Sequence, residues 1–510
     1  MESELVSGFM LSIRKIFFGR FLHSLLVIYI SNLFLIFLNY SSSGPCWALE
    51  YAGSQSRRGF IIASSSYQQG VVTGKVFNDE SLNLADELSF LVSSLIKENP
   101  DGTLEITTPG GSRNVSREFL EWLAGFSDAE GTFAFGKKNK KESSYIFNFV
   151  IELHIDDTFV LESLCQTLGI GSVYSRGKRN LVFFSVAKLS EIAVIIAIFS
   201  KYNLNSTKYL DFLDFSLSYF IYTKRALSAS TIEWTSKLDS ILLNMNKGRT
   251  CFDLSKPVYG VVHTIQITAN WLLGFVEGDG SFHYRSSNKI LVFDICQKAT
   301  GGELLLLESI KTFLENLAPA GFEDSVKIYT GRGSSNLRVA QHAFILHVII
   351  PLFSSLTFRT KKFLDFTDWV IIFNIFNKGF HYLPEGIQLV DRLNSQMNNR
   401  RLSTSKTEQE DREILMKEAN ELLSLPSNYE VRDNKIWIIS EKKYQGNKSK
   451  SVGLYPFVDG KVGTLPIKTF KSIQSCREFL GLSRTAFTFA MANGEKFSFE
   501  GNEVLIQYIP

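Results

Sequence analysis

The sequence predicts an α+β chain: two tandem copies of one αββαββα domain with antiparallel strands, followed by a small C-terminal domain with a helix-turn-helix-like pattern. Three observations predict it. WLAGFSDAEGTF, from Trp122 to Phe133, returns as WLLGFVEGDGSF, from Trp271 to Phe282, which sets Glu130 and Asp279 at equivalent positions 149 residues apart. KYLDFLDF, starting at Lys208, returns as KFLDFTDW, starting at Lys362, a separation of 154. Between them VYSRGKRNLVF (from Val173) and IYTGRGSSNLRV (from Ile328) form a weaker pair at about the same offset, and one order of elements can be read in both copies.

In the first copy a helix capped by Ser116 runs to Gly131, where the glycine ends it. Strands follow over 132–137 and 145–154, the second rich in aromatic and β-branched residues. The next helix, over 158–168, stops at Gly169. Strands over 172–176 and 181–187 flank a Gly-Lys-Arg-Asn turn, and a further helix runs from Leu189 toward Lys201 and beyond. The second copy repeats this order from Thr268 to about Phe380. The domains are therefore expected at 115–225 and 266–385, with linkers over 76–114, 226–265 and 386–430, and the C-terminal domain at 431–510.

A chain of 510 residues, 45% hydrophobic and 21% charged, fits roughly three globular domains and excludes whole-chain disorder. Lys plus Arg (54) barely exceeds Asp plus Glu (51), so any nucleic-acid surface has to be local. Five scattered cysteines with no C-x-x-C pair argue against zinc ribbons and disulfide frameworks. The seven histidines form neither H-E-x-x-H nor a close His-Asn-His group, which removes zinc hydrolysis and His-metal nuclease chemistry. The 43 phenylalanines against 11 prolines fit an A/T-rich coding sequence such as an organelle genome. FLHSLLVIYISNLFLIFL, from Phe21 to Leu38, is flanked by Arg14, Lys15 and Arg20 and is about the minimum for a membrane span. It occurs once, which excludes a multi-span transporter as the whole product. A Ser/Gly-rich stretch over 40–75 follows, so residues 1–75 read as an exon-derived or processed segment, associated with a membrane at most through that span.

The repeated motif carries the chemistry. Gly125 and Ala129, and likewise Gly274 and Gly278, make a small-x-x-x-small stripe that lets two helices in one chain approach closely. Packed this way, the helices bring Glu130 and Asp279 to one end, where helix dipoles and mutual repulsion disfavour carboxylates unless a cation compensates. Divalent metal with oxygen ligands supplies that cation. Two such acids suit the hydrolysis of two phosphodiesters, one on each strand of a duplex.

These residues resemble the LAGLIDADG homing endonuclease family in its single-chain, two-motif form, over about 115–380. Asp128 and Glu277 hold the sixth position of the nonamer, and Glu130 and Asp279 the eighth. The resemblance implies a pseudo-twofold domain pair whose antiparallel strands form a saddle in the DNA major groove. It also implies Mg2+ (or Mn2+) dependent double-strand cleavage with 3′ overhangs at a long target site, promoting intron mobility. Glu130 and Asp279 would hold metal, with the backbone contribution beside Glu130 left open. Lys208 and Lys362 would lie near the scissile phosphates, a point-charge role suited to lysine, with Lys361 able to replace Lys362 in register. Gln297 would orient metal-bound water; its counterpart in the first copy is taken as Ile155, which predicts unequal cleavage of the strands.

DNA contacts are expected from Lys137, Lys138, Lys140 and Lys141 in one hairpin turn, and from Arg176, Lys178 and Arg179 in the next. The second copy offers His283, Arg285, Lys289, Arg332 and Arg338. Residues 435–510 carry 11 Lys/Arg against six Asp/Glu. Within them FKSIQSCREFLGLSRTAFTFAMANGEKF resembles a nuclease-associated modular DNA-binding domain, a helix, a turn at Gly481 and a second helix capped by Ser483, with Lys471, Arg477 and Arg484 as phosphate contacts. Two motifs in one chain predict a monomer acting on double-stranded DNA, mitochondrial, with the nuclease part in the matrix. The alternative is an RNA maturase assisting group I intron splicing, alone or as a second activity.

Overall fold

A computed structural model of the chain describes residues 83–139, 143–227, 230–319, 321–322, 324–432, 435–445 and 451–509. The membrane-like segment from Phe21 to Leu38, the Ser/Gly-rich stretch, Lys140 and Lys141 lie outside the described residues. No helix among the described residues is long and apolar enough to cross a membrane.

The described part of the first expected linker, 83–114, is folded. Helix α1 (Leu84–Leu95), capped by the Asn83 side chain, leads into an antiparallel sheet β1 (Ile96–Glu98), β2 (Leu104–Thr108) and β3 (Gly111–Val115). Leu84, Leu88, Leu104, Ile106 and Val115 are all buried and join the main core, so this segment is a layer of the domain and not a tether.

Repeat 1 follows the expected order. Helix α2 (Arg117–Glu130) starts at Ser116, whose Oγ accepts from the Phe119 N–H. It passes directly into β4 (Gly131–Lys137) and β5 (Tyr145–His154). Gly131 is extended, with φ −74°, and not the left-handed cap that the sequence suggested. Its glycine is required by crowding, because a Cβ there would lie 2.7 Å from the Ser127 carbonyl oxygen. Helix α3 (Thr158–Leu168) does end on a left-handed glycine, Gly169 at φ +66°. Strands β6 (Ser172–Arg176) and β7 (Leu181–Val186) complete a sheet of order β4-β5-β7-β6, backed by α4 (Leu189–Lys201) and α5 (Lys208–Thr223).

The second expected linker is also structure. Helix α6 (Thr231–Asn244) packs beside α5 and ends in Met245-Asn246-Lys247-Gly248-Arg249. Asn246, at φ +52°, donates its N–H to Asp211 Oδ1 (2.8 Å) and its amide to the Phe133 carbonyl (3.0 Å). Arg249 grips Asp211 at 2.9 Å and also pairs with Asp214.

Repeat 2 comprises α7 (Ala269–Asp279), β8 (Gly280–Arg285), β9 (Ile290–Lys298), α8 (Gly301–Asn316), β10 (Val326–Thr330), β11 (Ser334–Val339), a helix α9 over 342–354 with a π turn at Ile345–Ile349, and α10 (Lys362–Asn377). Its sheet order is β10-β11-β9-β8, the same pairing as in repeat 1. Helix α11 (Pro384–Ser395) again ends in Met-Asn-x-x-Arg. Asn398 (φ +58°) donates to Asp365 Oδ1 at 2.9 Å and to the Phe282 carbonyl at 3.1 Å, and Arg401 grips Asp365 and Asp368. Arg412, opening α12 (Arg412–Ser424), adds a second bridge to Asp368 at 2.6 Å. The polar stretch expected as a third linker is thus the closing clamp of repeat 2.

The repeats meet along α2 and α7. Cβ atoms added at Gly125 and Gly274 would stand 1.9 Å from the Trp271 carbonyl oxygen and 2.1 Å from that of Trp122. One added at Gly278 would strike Ala129 Cβ at 2.4 Å. The small-residue stripe thus allows backbone-to-backbone contact, as its spacing predicts.

The C-terminal boundary lies later than 431. A small sheet β12 (Tyr429–Arg432), β13 (Lys435–Ile438) and β14 (Lys443–Tyr444) is tied to repeat 2 through Asn428, which donates to the Gly379 carbonyl at 2.9 Å. A separate core of Val452, Leu454, Phe470, Cys476, Phe487, Val504 and Ile506 defines the last unit. It contains β15 (Val452–Val458), β16 (Lys461–Val462), β17 (Lys468–Phe470), α13 (Ile473–Leu480), α14 (Arg484–Asn493), β18 (Lys496–Phe499) and β19 (Asn502–Tyr508). Gly481 is left-handed at φ +66° and Ser483 caps α14, as expected.

Candidate active site and nucleic-acid face

Glu130 and Asp279 are the last residues of the paired helices α2 and α7, half-buried at one end of the contact. Burial, then the charge of Asp279, pushes Glu130 up to about 6. Burial also raises Asp279, opposed first by the Gln297 amide, which donates to Asp279 Oδ2 at 2.7 Å. Both lysines predicted from the repeat act on this pair, for the charges of Lys208 and Lys362 each favour the ionised form of both acids. Lys208 donates to the Ser127 and Ala129 carbonyls in the last turn of α2, at 3.0 and 3.2 Å. Burial lowers its pKa, opposed by Asp128, Asp279, Glu130 and Glu303. Lys361 instead bridges to Asp156 at 3.3 Å.

The sixth-position acids are not beside the eighth; they are crossed struts. Asp128 accepts from the Trp271 indole of the other repeat (3.0 Å), from the Asn205 and Ser206 N–H groups (2.6 and 3.0 Å) and from Ser206 Oγ (2.5 Å). Glu277 accepts from the Trp122 indole (2.5 Å), from the Arg359 and Thr360 N–H groups (2.8 and 2.6 Å) and from Thr360 Oγ1 (2.8 Å). Each acid therefore ties the partner motif helix to the turn that launches its own repeat's lysine helix. Burial raises both, Asp128 to about 6, and the donated hydrogen bonds pull the other way.

Strand register corrects one assignment. Gly131 pairs with Ile151 and Gly280 with Ile295, so the counterpart of Gln297 is Leu153 and not Ile155, which lies in the turn beyond the strand. Leu153 is apolar too, so the predicted inequality between the two halves stands on a different residue.

The basic residues of repeat 2 converge. Arg338, Arg285 and His283 all approach Asp294, at 3.3, 3.8 and 3.9 Å, and Arg338 lies 5.3 Å over the Tyr329 ring. Burial lowers the His283 pKa, so it favours the neutral imidazole, a polar and not a cationic group on this face. In repeat 1 Arg176 lies 5.0 Å over Phe183, itself stacked on Tyr174, and Asn148 and Ser185 are hydrogen-bonded across the strands at 2.8 Å. Lys137 is paired with Asp239 at 2.6 Å, whereas Lys138, Lys178, Arg179, Lys289 and Arg332 are exposed. In the last unit Arg484 is exposed, Lys471 bridges to Asp324 at 3.2 Å, and the Arg477 side chain donates to the Leu482 carbonyl at 3.4 Å.

The Met-Asn-x-x-Arg clamps were missed from sequence, although a repeat at 152 residues, close to the other separations, was there to be read. Glu303 was missed as well. It sits on repeat 2 yet accepts from the Thr207 N–H of repeat 1 at 3.2 Å.

The family of "LAGLIDADG endonuclease" matches residues 123–219 and 272–373, one segment in each repeat. The chain is 25% identical to the "Uncharacterized mitochondrial protein RF1" of Saccharomyces cerevisiae, over 56% of this chain and 60% of that protein. It is 26% identical to the "Probable intron-encoded endonuclease Cox1-I1b" of Schizosaccharomyces pombe, over 39% of this chain and 50% of that protein. It therefore spans about half to three-fifths of these relatives. Among solved structures, the LAGLIDADG homing endonuclease I-GzeII in complex with its DNA target is 25% identical, with a TM-score of 0.48, covering 56% of this chain and 99% of that one.

Proposed function

We propose that this chain, whose two repeats belong to the LAGLIDADG endonuclease family, is a site-specific DNA endonuclease that hydrolyses one phosphodiester on each strand of a long duplex target. The observation that carries the reading is the pairing of Glu130 and Asp279 at the end of a backbone-to-backbone helix contact, flanked by Lys208 and Lys362. Two half-buried carboxylates that repel each other and are accessible at a helix end form a hard-oxygen donor set short of positive charge, and this suits Mg2+ or Mn2+. Glu130 and Asp279 would hold the metal, which when bound supplies an activated water and a counter-charge for the leaving oxygen. Gln297, bonded to Asp279, orients that carboxylate and presents a polar group beside it. Lys208 and Lys362 present positive charge to the phosphates as negative charge develops there.

The outer strand faces supply the DNA surface in this reading: Arg176, Lys178 and Arg179 in repeat 1, and Arg285, Arg338, Lys289 and Arg332 in repeat 2. Lys137 and Lys138 flank them, and the Arg484 helix of the last unit extends the same role. Phosphate neutralisation provides affinity, and residues such as Asn148 and Arg338 can read base edges. The relative described as an intron-encoded endonuclease and the mitochondrial relative support intron homing in a mitochondrion. The experiment is a selection. Full-length protein is bound to a randomised duplex library in Ca2+, the retained duplexes are recovered, and Mg2+ is added. Cleavage of both strands at one recurrent sequence is expected; folded protein that retains no sequence and cuts none refutes the function.

A further inference from the structure

Glu303 is a buried carboxylate, 7% exposed, in the first turn of α8, with its own N–H capped by Thr300. Its Oε1 accepts two hydrogen bonds from Thr207 of the other repeat, one from the N–H at 3.2 Å and one from Oγ1. Thr207 immediately precedes Lys208, and the start of α8 is pressed on this turn: a Cβ added at Gly302 would stand 2.4 Å from Thr207 Cγ2. Glu303 Oε2 is buried with no hydrogen-bond partner among the described residues, and the nearby charges that act on the group are Lys208 and Asp279. A buried carboxylate with half its acceptors unused is costly in a fold unless the hydrogen bonds it does accept position a neighbouring group.

Repeat 1 meets the same need from a different position. The third residue of α3 is Val160, 2% exposed, where α8 has Glu303. The turn before Lys362 is held instead by Asp156, which bridges to Lys361, and by Asp157, whose neighbouring charges are Lys361, Asp156 and His154. Asp157 accepts from the Lys361 N–H, and its Oδ1 is buried with no hydrogen-bond partner among the described residues, so it holds the turn before Lys362 much as Glu303 holds the turn before Lys208.

We infer that Glu303 is a positioning residue reaching across the repeats to fix the Thr207–Lys208 turn of one half-site, as Asp157 holds the turn before Lys362 of the other. The inference rests on the endonuclease reading above and adds to it a residue whose loss acts on one strand. Without Glu303 the Lys208 ammonium loses its fixed approach, and misplacement of such a group by about 1 Å can slow chemistry on the order of a hundredfold.

The test uses full-length protein, Mg2+ and the duplex recovered by the selection, carrying a different dye on each strand, so that each nicking rate is read separately. Glu303→Ala and Thr207→Val are expected to slow the same strand by about tenfold or more. The other strand and the Kd measured in Ca2+ should change less than about twofold. Glu303→Gln keeps an acceptor facing Thr207 and relieves the unpartnered carboxylate, so it should fold at least as stably and recover most of the lost rate. Equal slowing of both strands, weakened DNA binding, no change in either rate, or failure of Glu303→Gln to recover the rate each overturns the inference. Wild-type protein that cuts neither strand removes the endonuclease reading itself, an outcome distinct from any variant effect.

Discussion

Gly125→Ala tests the central packing contact. The added methyl would lie 1.9 Å from the Trp271 carbonyl oxygen, where ordinary contact begins at 3.4 Å, so the two helices must separate by about 1.5 Å. The obstacle is backbone, and no rotamer change relieves it. Alanine gains about 1 kcal/mol over glycine in a helix interior. Overpacking costs about 1–3 kcal/mol, at the upper end where backbone is struck. Separation also strains the Trp271–Asp128 and Trp122–Glu277 bonds, each worth roughly 1.5–3 kcal/mol as a hydrogen bond to a charged group. The net expectation is a loss of about 2–4 kcal/mol, read as a lower urea midpoint by fluorescence of Trp122 and Trp271, with cleavage reduced because Glu130 and Asp279 are moved apart. Gly136→Ala is the control, since a Cβ there meets nothing within 4 Å. Unchanged stability and cleavage for Gly125→Ala would refute the close helix contact.

Other perturbations follow from the same geometry. The folded pKa of Glu130 is about 6 against an ordinary 4.5, so its acid form is favoured by folding. The stability this gives is full below about pH 4.5 and is lost as pH rises through about 6. Glu130→Gln should therefore gain stability at pH 7 while losing cleavage, and wild-type cleavage in Mg2+ should rise between about pH 5 and 7 as the carboxyl ionises. Arg401→Met leaves Asp365 and Asp368 short of a partner, though Arg412 still bridges to Asp368. A loss of about 3 kcal/mol in urea unfolding is expected, with slower cleavage from the displaced Lys362 helix. Lys208→Ala and Lys362→Ala should each lower the cleavage rate by roughly 10²–10³ with little change in Kd. Deleting residues 1–75 should leave DNA binding and cleavage intact in a gel-shift and nicking assay.

What was legible in the sequence is what repeats in identity. Trp122 and Trp271, the glycine stripes, the eighth-position acids and the lysines were found because the same letters recur at nearly the same offset. The helix and strand bounds of repeat 1 agree with the structure within about a residue as far as β7, since Ser116, Gly169 and the turn at Gly177 act locally. The last helix, expected to run beyond Lys201, ends there, and a separate one starts at Lys208. The clamps were lost because Asn246 and Arg249 look like linker polarity until Asp211 and Asp214 are brought beside them. The three-stranded layer before α2 was lost because β2 and β3 are five residues each and lie beside the turn-rich Pro109-Gly110-Gly111, which outweighs so short an alternation. Glu303 was illegible for another reason. Its partner Thr207 is 96 residues away in the other repeat, and its counterpart Asp157 differs in residue type and stands before the helix and not in it, so no repeat of letters marks the pair. His283 was grouped with the basic residues of the strand face, and its burial beside Arg285 and Arg338 lowers its pKa and disfavours the charged form.

The most direct measurement is strand-resolved cleavage of the selected duplex in Mg2+ by wild type, Glu130→Gln and Asp279→Asn. If the two acids at the end of α2 and α7 hold the metal for two phosphodiesters, wild type cuts both strands and each variant, folded and still binding DNA in Ca2+, loses cleavage of at least one. Both variants cutting both strands at the wild-type rate would contradict it.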